Sequence, residues 1–165
     1  MNSMRLALYQ PDIPQNTGTM LRMAACLNVA IDIIEPCGFV LNDKRMKRSG
    51  MDYLEKTELV RHNSWEAFNQ FRDEESEHSV NTSGRLILLS TKAAINYTDF
   101  EFHPDDTLMV GRESAGVPDD VHDSVDARVL IPMAEGVRSL NIAVSAAMVL
   151  GEALRQTRGF PSSTK

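Results

Sequence analysis

Three short stretches set hydrogen-bonding side chains among glycines and prolines directly behind apolar runs: "PDIPQNTG" (11–18), "GRESAGVP" (111–118) and "PMAEGVRSLN" (132–141). The second is the most informative. Gly111, Arg112, Glu113, Gly116 and Pro118 follow the apolar "LMV", and two glycines in so short a segment imply a backbone that bends sharply or approaches something closely. A phosphate-binding P-loop would read G-x-x-x-x-G-K-[ST], but Val117 and Pro118 follow Gly116, so the lysine is missing. The loop holds a ligand other than a nucleoside triphosphate, or it holds none.

Taken singly, each stretch has a structural and a functional reading. Asn16 is placed either to cap the following helix or to take part in catalysis. Gly111 and Gly116 build a turn or admit a ligand. Ser139 and Asn141 precede a long helical pattern, where capping is the commoner role. No Ser–His–Asp order supports acyl transfer, and the dinucleotide fingerprint G-x-G-x-x-G is absent. His62, His78, His103 and His122 are scattered, and Cys26 and Cys37 form no C-x-x-C. Neither a metal site nor a disulfide framework is expected.

The net charge of −6 argues by itself against a nucleic-acid binder. The distribution is less even. "DKRMKR" gathers Lys44, Arg45, Lys47 and Arg48, while "DEESE" (73–77) reads as a solvated acidic loop. From charge alone the basic run is either a solvated face or a phosphate contact.

The elements that must position these residues alternate. "RLALYQ", "VAIDIIEP", "ELVRH", "RLILLS", "DTLMVG" and "ARVLIP" read as strands, several of them apolar throughout. Helices are expected over 17–27, across "WEAFNQF" behind Asn63 or Ser64, over "DDVHDSVD", and from Asn141 to about Thr157, with a short one including Tyr53 to Lys56. This pattern predicts an α/β fold, a mostly parallel sheet with helices on both faces. Ligands in such sheets gather at the carboxyl ends of strands, where the three polar stretches lie. With 165 residues, 42% hydrophobic and 24% charged, and no repeat or linker, a single domain over 1–165 is expected. No apolar run is long enough to span a bilayer, and "MNSMRLALYQP" does not read as a secretory signal, so a cytoplasmic protein is expected.

Together the three stretches resemble the SPOUT superfamily of RNA methyltransferases, and within it the tRNA ribose 2′-O-methyltransferases. "NTGTMLR" is similar to the family's Asn and Arg six positions apart, here Asn16 and Arg22. "GRESAGVP" matches G-x-E-x-x-G-x-P at every defined position, and "IPM" with "SLN" matches the third motif. "LALYQPDIPQNTG", "IIEPCGF" and "DKRMKRSGMDY" are similar to the compact subfamily that methylates the wobble nucleotide, over about residues 5 to 157. Two positions depart from the family pattern: Ala143 stands where many relatives carry Ser, and Gly151 precedes Glu152 where an aromatic is frequent.

The resemblance implies a C-terminal deep trefoil knot, a homodimer, and S-adenosylmethionine bound by Leu89, Thr91, Gly111, Glu113, Ile131, Met133, Ser139 and Leu140, leaving S-adenosylhomocysteine as product. It assigns catalysis to Arg22 with Asn16, Glu113, Ser139 and Asn141. Arg22 is the base the family suggests, yet a guanidinium scarcely ever loses its proton. Either a substrate phosphate shares that proton, or Arg22 holds the RNA. The basic run Lys44, Arg45, Lys47 and Arg48 would then grip the anticodon stem-loop of tRNA. Two rival readings are the same chemistry at another tRNA position or on ribosomal RNA, and a non-catalytic RNA-binding module with the same fold.

Overall fold

The computed structural model describes residues 3–41, 56–78 and 84–163. The chain runs β1 (Arg5–Tyr9), α1 (Pro14–Leu27), β2 (Ala30–Ile34), β3 (Leu59–His62), α2 (Trp65–His78), β4 (Leu86–Leu89), β5 (Ile95–Asn96), β6 (Thr107–Val110), α3 (Asp119–Ser124), β7 (Ala127–Leu130) and α4 (Ile142–Thr157). The strands form one seven-stranded sheet in the order β3-β2-β1-β6-β4-β7-β5. Every named pairing is parallel, as the unbroken apolar strands require.

Side chains alternate across each strand, so the sheet has two packed faces. Leu6, Leu8, Ile31, Ile33, Leu108 and Val110 meet Met20, Leu21 and Ala24 of α1 and Ala146, Val149, Leu150, Ala153 and Leu154 of α4. Ala7, Tyr9, Ile34, Leu88 and Met109 meet Phe68 of α2 and Val121 of α3. A fully buried carboxylate is built into the second face. Asp32 accepts from Arg5 Nε at 2.7 Å and lies 2.8 Å from His62 Nε2, which ties β1, β2 and β3 together through one carboxylate. Phe68 and Phe71 pack against the His62 ring and shield the group. No helix among the described residues is long and apolar enough to cross a membrane.

Two sequence expectations are revised, and one strand is new. Helix α1 begins at Pro14, with Ile13 as N-cap and no side-chain cap; proline's fixed φ and missing N–H suit the first helical position, so Asn16 sits inside the first turn and does not cap. The acidic run at 73–77 is helical, part of α2. Glutamate is a good helix former, and Gln70 Nε2 donates to Glu74 Oε1 one turn on, at 2.9 Å. Two-residue β5 pairs with β7 at the sheet edge and carries too little pattern to be foreseen. The cap of α2 resolves to Ser64, whose hydroxyl accepts from the Ala67 amide at 3.1 Å. The helix expected around Tyr53 falls almost wholly outside the described residues, as do Lys44, Arg45, Lys47 and Arg48.

Candidate active site

The loops leaving β1, β6, β4 and β7 converge because these four strands are consecutive across the sheet. Between β1 and β6 the order reverses, the place where open parallel sheets form a crevice. A cavity of about 500 Å³ occupies it, a size suited to a small organic ligand.

The turn after β6 is closed by its own backbone. Arg112 N–H donates to Gly116 O at 2.9 Å, and Gly116 N–H returns a bond to Arg112 O at 2.8 Å. Gly116 has φ +64°, and a Cβ on Gly111 would lie 2.7 Å from the Gly116 carbonyl carbon. Each glycine therefore answers to the turn's closure. That closure presents Glu113 to the cavity.

A second junction joins the first and third motifs. Asn141 Nδ2 donates to Asn16 Oδ1 at 3.0 Å. The Asn141 Oδ1 meanwhile accepts from the amides of Ala143 at 2.9 Å and Val144 at 3.3 Å, capping α4. A helix cap and a place on the cavity wall are thus combined in one side chain. Asn16, free of any cap, turns its oxygen toward α4.

The cavity wall includes Leu89, Thr91, Gly111, Glu113, Ser139 and Leu140 with Asn16 and Asn141. A smaller adjoining cavity of about 100 Å³ adds Ile131 and Met133 and shares Leu89, Thr91, Ser139 and Leu140. Arg22 stands apart. It is exposed on α1 and does not line either cavity, because six residues at about 100° each carry it roughly a third of a turn away from Asn16.

Glu113 and Asp12 brace the β6 and β1 loops. Glu113 N–H donates to Asp12 Oδ1 at 3.2 Å, and Asp12 N–H donates to Glu113 Oε2 at 3.3 Å. Burial first, and the hydrogen-bonded Asp12 second, raise the Glu113 carboxyl above the ordinary glutamate range. Hydrogen bonding with Glu113, and then with the Ser114 hydroxyl, holds Asp12 below the ordinary aspartate range. Glu113 Oε1 is buried and has no hydrogen-bond partner among the described residues.

Sequence reasoning gave no site role to Asp12, Ser90, Lys92, Arg112 or His122, all but the first of which line the larger cavity. His122 Nε2 meets Ser90 Oγ at 3.3 Å across a separation of 32 residues. The one available signal was position: Asp12 and Ser90 follow strand ends. Mixed apolar walls, backbone edges and a few polar groups suit a flat, partly apolar ligand such as a nucleoside.

The SpoU rRNA Methylase family model matches residues 3–151. A tRNA (cytidine(34)-2′-O)-methyltransferase of Beijerinckia indica subsp. indica is 60% identical over 151 residues, which cover 92% of this chain and 90% of that protein. A solved structure concerned with the 2-OH methylation of C/U34 on tRNA superimposes with a TM-score of 0.83 at 35% identity, covering 93% of this chain and 95% of that one. The SpoU methyltransferase AviRb from Streptomyces viridochromogenes, in complex with the cofactor AdoMet, gives a TM-score of 0.85 at 25% identity, over 94% of this chain and 61% of that one.

Proposed function

Since the chain belongs to the SpoU rRNA Methylase family, we propose that it transfers a methyl group from S-adenosylmethionine to the ribose 2′-oxygen of the wobble nucleotide of tRNA. One observation carries the reading: residues from all three motifs, Asn16, Glu113, Ser139 and Asn141, line a single cavity at the strand carboxyl ends. The relatives named for position 34 support the choice of nucleotide.

The residues present fit the donor. Gly111, where a Cβ would be obstructed, brings bare backbone to the cavity wall, and Leu89, Leu140 and Ile142 give an apolar wall beside Ser139 and Thr91. We assign cofactor holding to Leu89, Thr91, Gly111, Glu113, Ile131, Met133, Ser139 and Leu140. When bound, S-adenosylmethionine supplies a methyl group made electrophilic by its sulfonium. Asn16 and Asn141, locked to each other, orient the sugar hydroxyl. Glu113 and Ser139 complete the polar wall and exclude a poorly oriented approach. Arg22 is a donor only, and outside its own chain's cavity it is assigned to RNA contact, with Lys44, Arg45, Lys47 and Arg48 gripping anticodon phosphates.

The working unit in this reading is a homodimer. Leu140, Val144 and Met148 form a row at four-residue spacing and are 39%, 48% and 38% exposed, an apolar edge that a second copy would cover. The C-terminal part is read as a trefoil knot because the family resemblance implies one; residues 139–141 line the cavity and α4 packs on α1 in keeping with that reading. The cytoplasm, where tRNA is modified, is the compartment that fits.

The deciding experiment is mass spectrometry of tRNA nucleosides from cells with and without the protein. Loss of 2′-O-methylation at position 34 is expected. An unchanged position 34 with loss elsewhere would move the substrate to another RNA site.

A further inference from the structure

Asp12 and Glu113 each stand just beyond the end of a strand, β1 and β6, which pair in parallel with Leu8 opposite Val110. Their reciprocal bonds close one side of the pair. The Ser114 hydroxyl donates to the second Asp12 oxygen, Oδ2. Gly38 closes another side: its amide donates to Pro11 O at 2.9 Å, and a Cβ there would lie 2.8 Å from Asp12 Cβ. Asp12 is therefore fixed, and it fixes Glu113 through Oε2. The other oxygen, Oε1, is left buried beside the cavity with no hydrogen-bond partner among the described residues. Native proteins pair nearly all such atoms, so an exception at a cavity marks a place completed by a ligand or a proton.

Methyl transfer to a ribose oxygen needs somewhere for the hydroxyl proton to go. The titratable groups on the cavity wall are Lys92, Arg112, Glu113 and His122. Lysine and arginine are donors only. His122 is engaged by Ser90 on the α3 side. Glu113 alone combines a carboxylate with an unused acceptor.

We propose that Glu113 accepts the proton of the attacking ribose hydroxyl and that Asp12 is its positioning residue. The proposal rests on the methyl-transfer reading above. The O–H bond breaks and an Oε1–H bond forms on Glu113. The electron pair left on the ribose oxygen makes the new bond to the methyl carbon, and the donor's sulfur keeps the pair of the broken C–S bond. Asp12 contributes by holding the Glu113 amide and by placing a negative charge against its carboxyl. That charge, added to burial, makes Glu113 a stronger base than an ordinary glutamate. Arg112 faces the pair with opposite charge, and Lys92 and His122 share the cavity wall.

The test uses the full chain with tRNA under single-turnover conditions across a pH series, and a carboxyl 13C NMR titration of the unliganded protein. Wild type is expected to show a rate that rises with pH as Glu113 ionises, and a Glu113 resonance titrating above 4.5. Glu113→Gln should slow transfer by about 100-fold or more. Asp12→Asn keeps the amide contact but removes the charge; it should move both the acid limb and the NMR midpoint to lower pH. If Asp12 were only structural, the plateau would fall and the limb would stay. The proposal is overturned if Glu113→Gln stays within tenfold of wild type, or if Glu113 in the wild-type protein titrates at or below 4.5. That second result needs no variant to fold. Failure of wild type to methylate position 34 at any pH would instead overturn the function on which the proposal stands.

Discussion

Asn141 reaches across 125 positions of sequence to bond Asn16, while its carbonyl oxygen starts the last helix. One side chain thus joins α1 to α4 at the cavity and satisfies two otherwise open amides.

The two duties can be separated. Asn141→Ala loses both and should cost about 1 kcal/mol of stability from the cap, along with most of the transfer rate. Asn141→Asp keeps the cap acceptor but cannot donate to Asn16. Its melting temperature should stay near wild type while transfer falls. Thermal melts paired with single-turnover rates check this; equal losses of stability in both variants would contradict it.

Asp32 makes a stability prediction remote from the chemistry. It is fully buried between Arg5 and His62. Asp32→Ala leaves the Arg5 charge without its inner partner and should cost about 3–5 kcal/mol, a drop in melting temperature on the order of 10 °C. The rate per folded molecule should change little. Differential scanning calorimetry with activity normalised to folded protein reads both.

The raised Glu113 carboxyl has a signed consequence for stability. Below pH 4.5, the ordinary glutamate value, the carboxyl is protonated both folded and unfolded. As pH rises past that value the unfolded chain releases its proton first, so wild type loses the stabilisation that the raised group supplied at low pH. Glutamine has no such loss. The melting temperature of Glu113→Gln relative to wild type should therefore climb with pH above 4.5 and level off once folded Glu113 has ionised. Asp12, held low, contributes in the opposite sense, with stability present above its ordinary value and lost in acid. A difference that stays flat with pH would contradict the assignment.

The apolar row on α4 predicts assembly. Met148→Glu or Val144→Asp places a charge in the centre of the proposed dimer face. Sedimentation should show a shift from dimer to monomer, and transfer should fall with it. Gly151 continues the same row, and a Cβ there would meet nothing within 4 Å among the described residues. In an isolated chain Gly151→Ala would add about 1 kcal/mol of helix stability. Across a close helix contact it should instead weaken the dimer, and the dissociation constant reads which.

The strands were legible because Ile31, Ile33, Leu86 and Ile87 are buried on a sheet covered from both sides, which leaves unbroken apolar runs. The motif residues were legible as a candidate site because they follow those strands. Their partners were not. Asp12 meets Glu113 only because β1 lies beside β6, and Ser90 meets His122 only because α3 packs near the end of β4. No local periodicity encodes a neighbour a hundred positions away. The start of α1 was misplaced for a local reason: Asn16 carries a strong capping preference, and Pro14 two residues earlier carries a stronger positional one. Arg22 was tied to the site by motif alone, and helical geometry turns it outward.

Ile13 and Asn16 on one flank of the cavity face Ser139, Leu140, Asn141 and Ile142 on the other, segments more than a hundred positions apart. A donor seated between them bridges that span, so its binding should protect α4 against local opening as well as fill the niche.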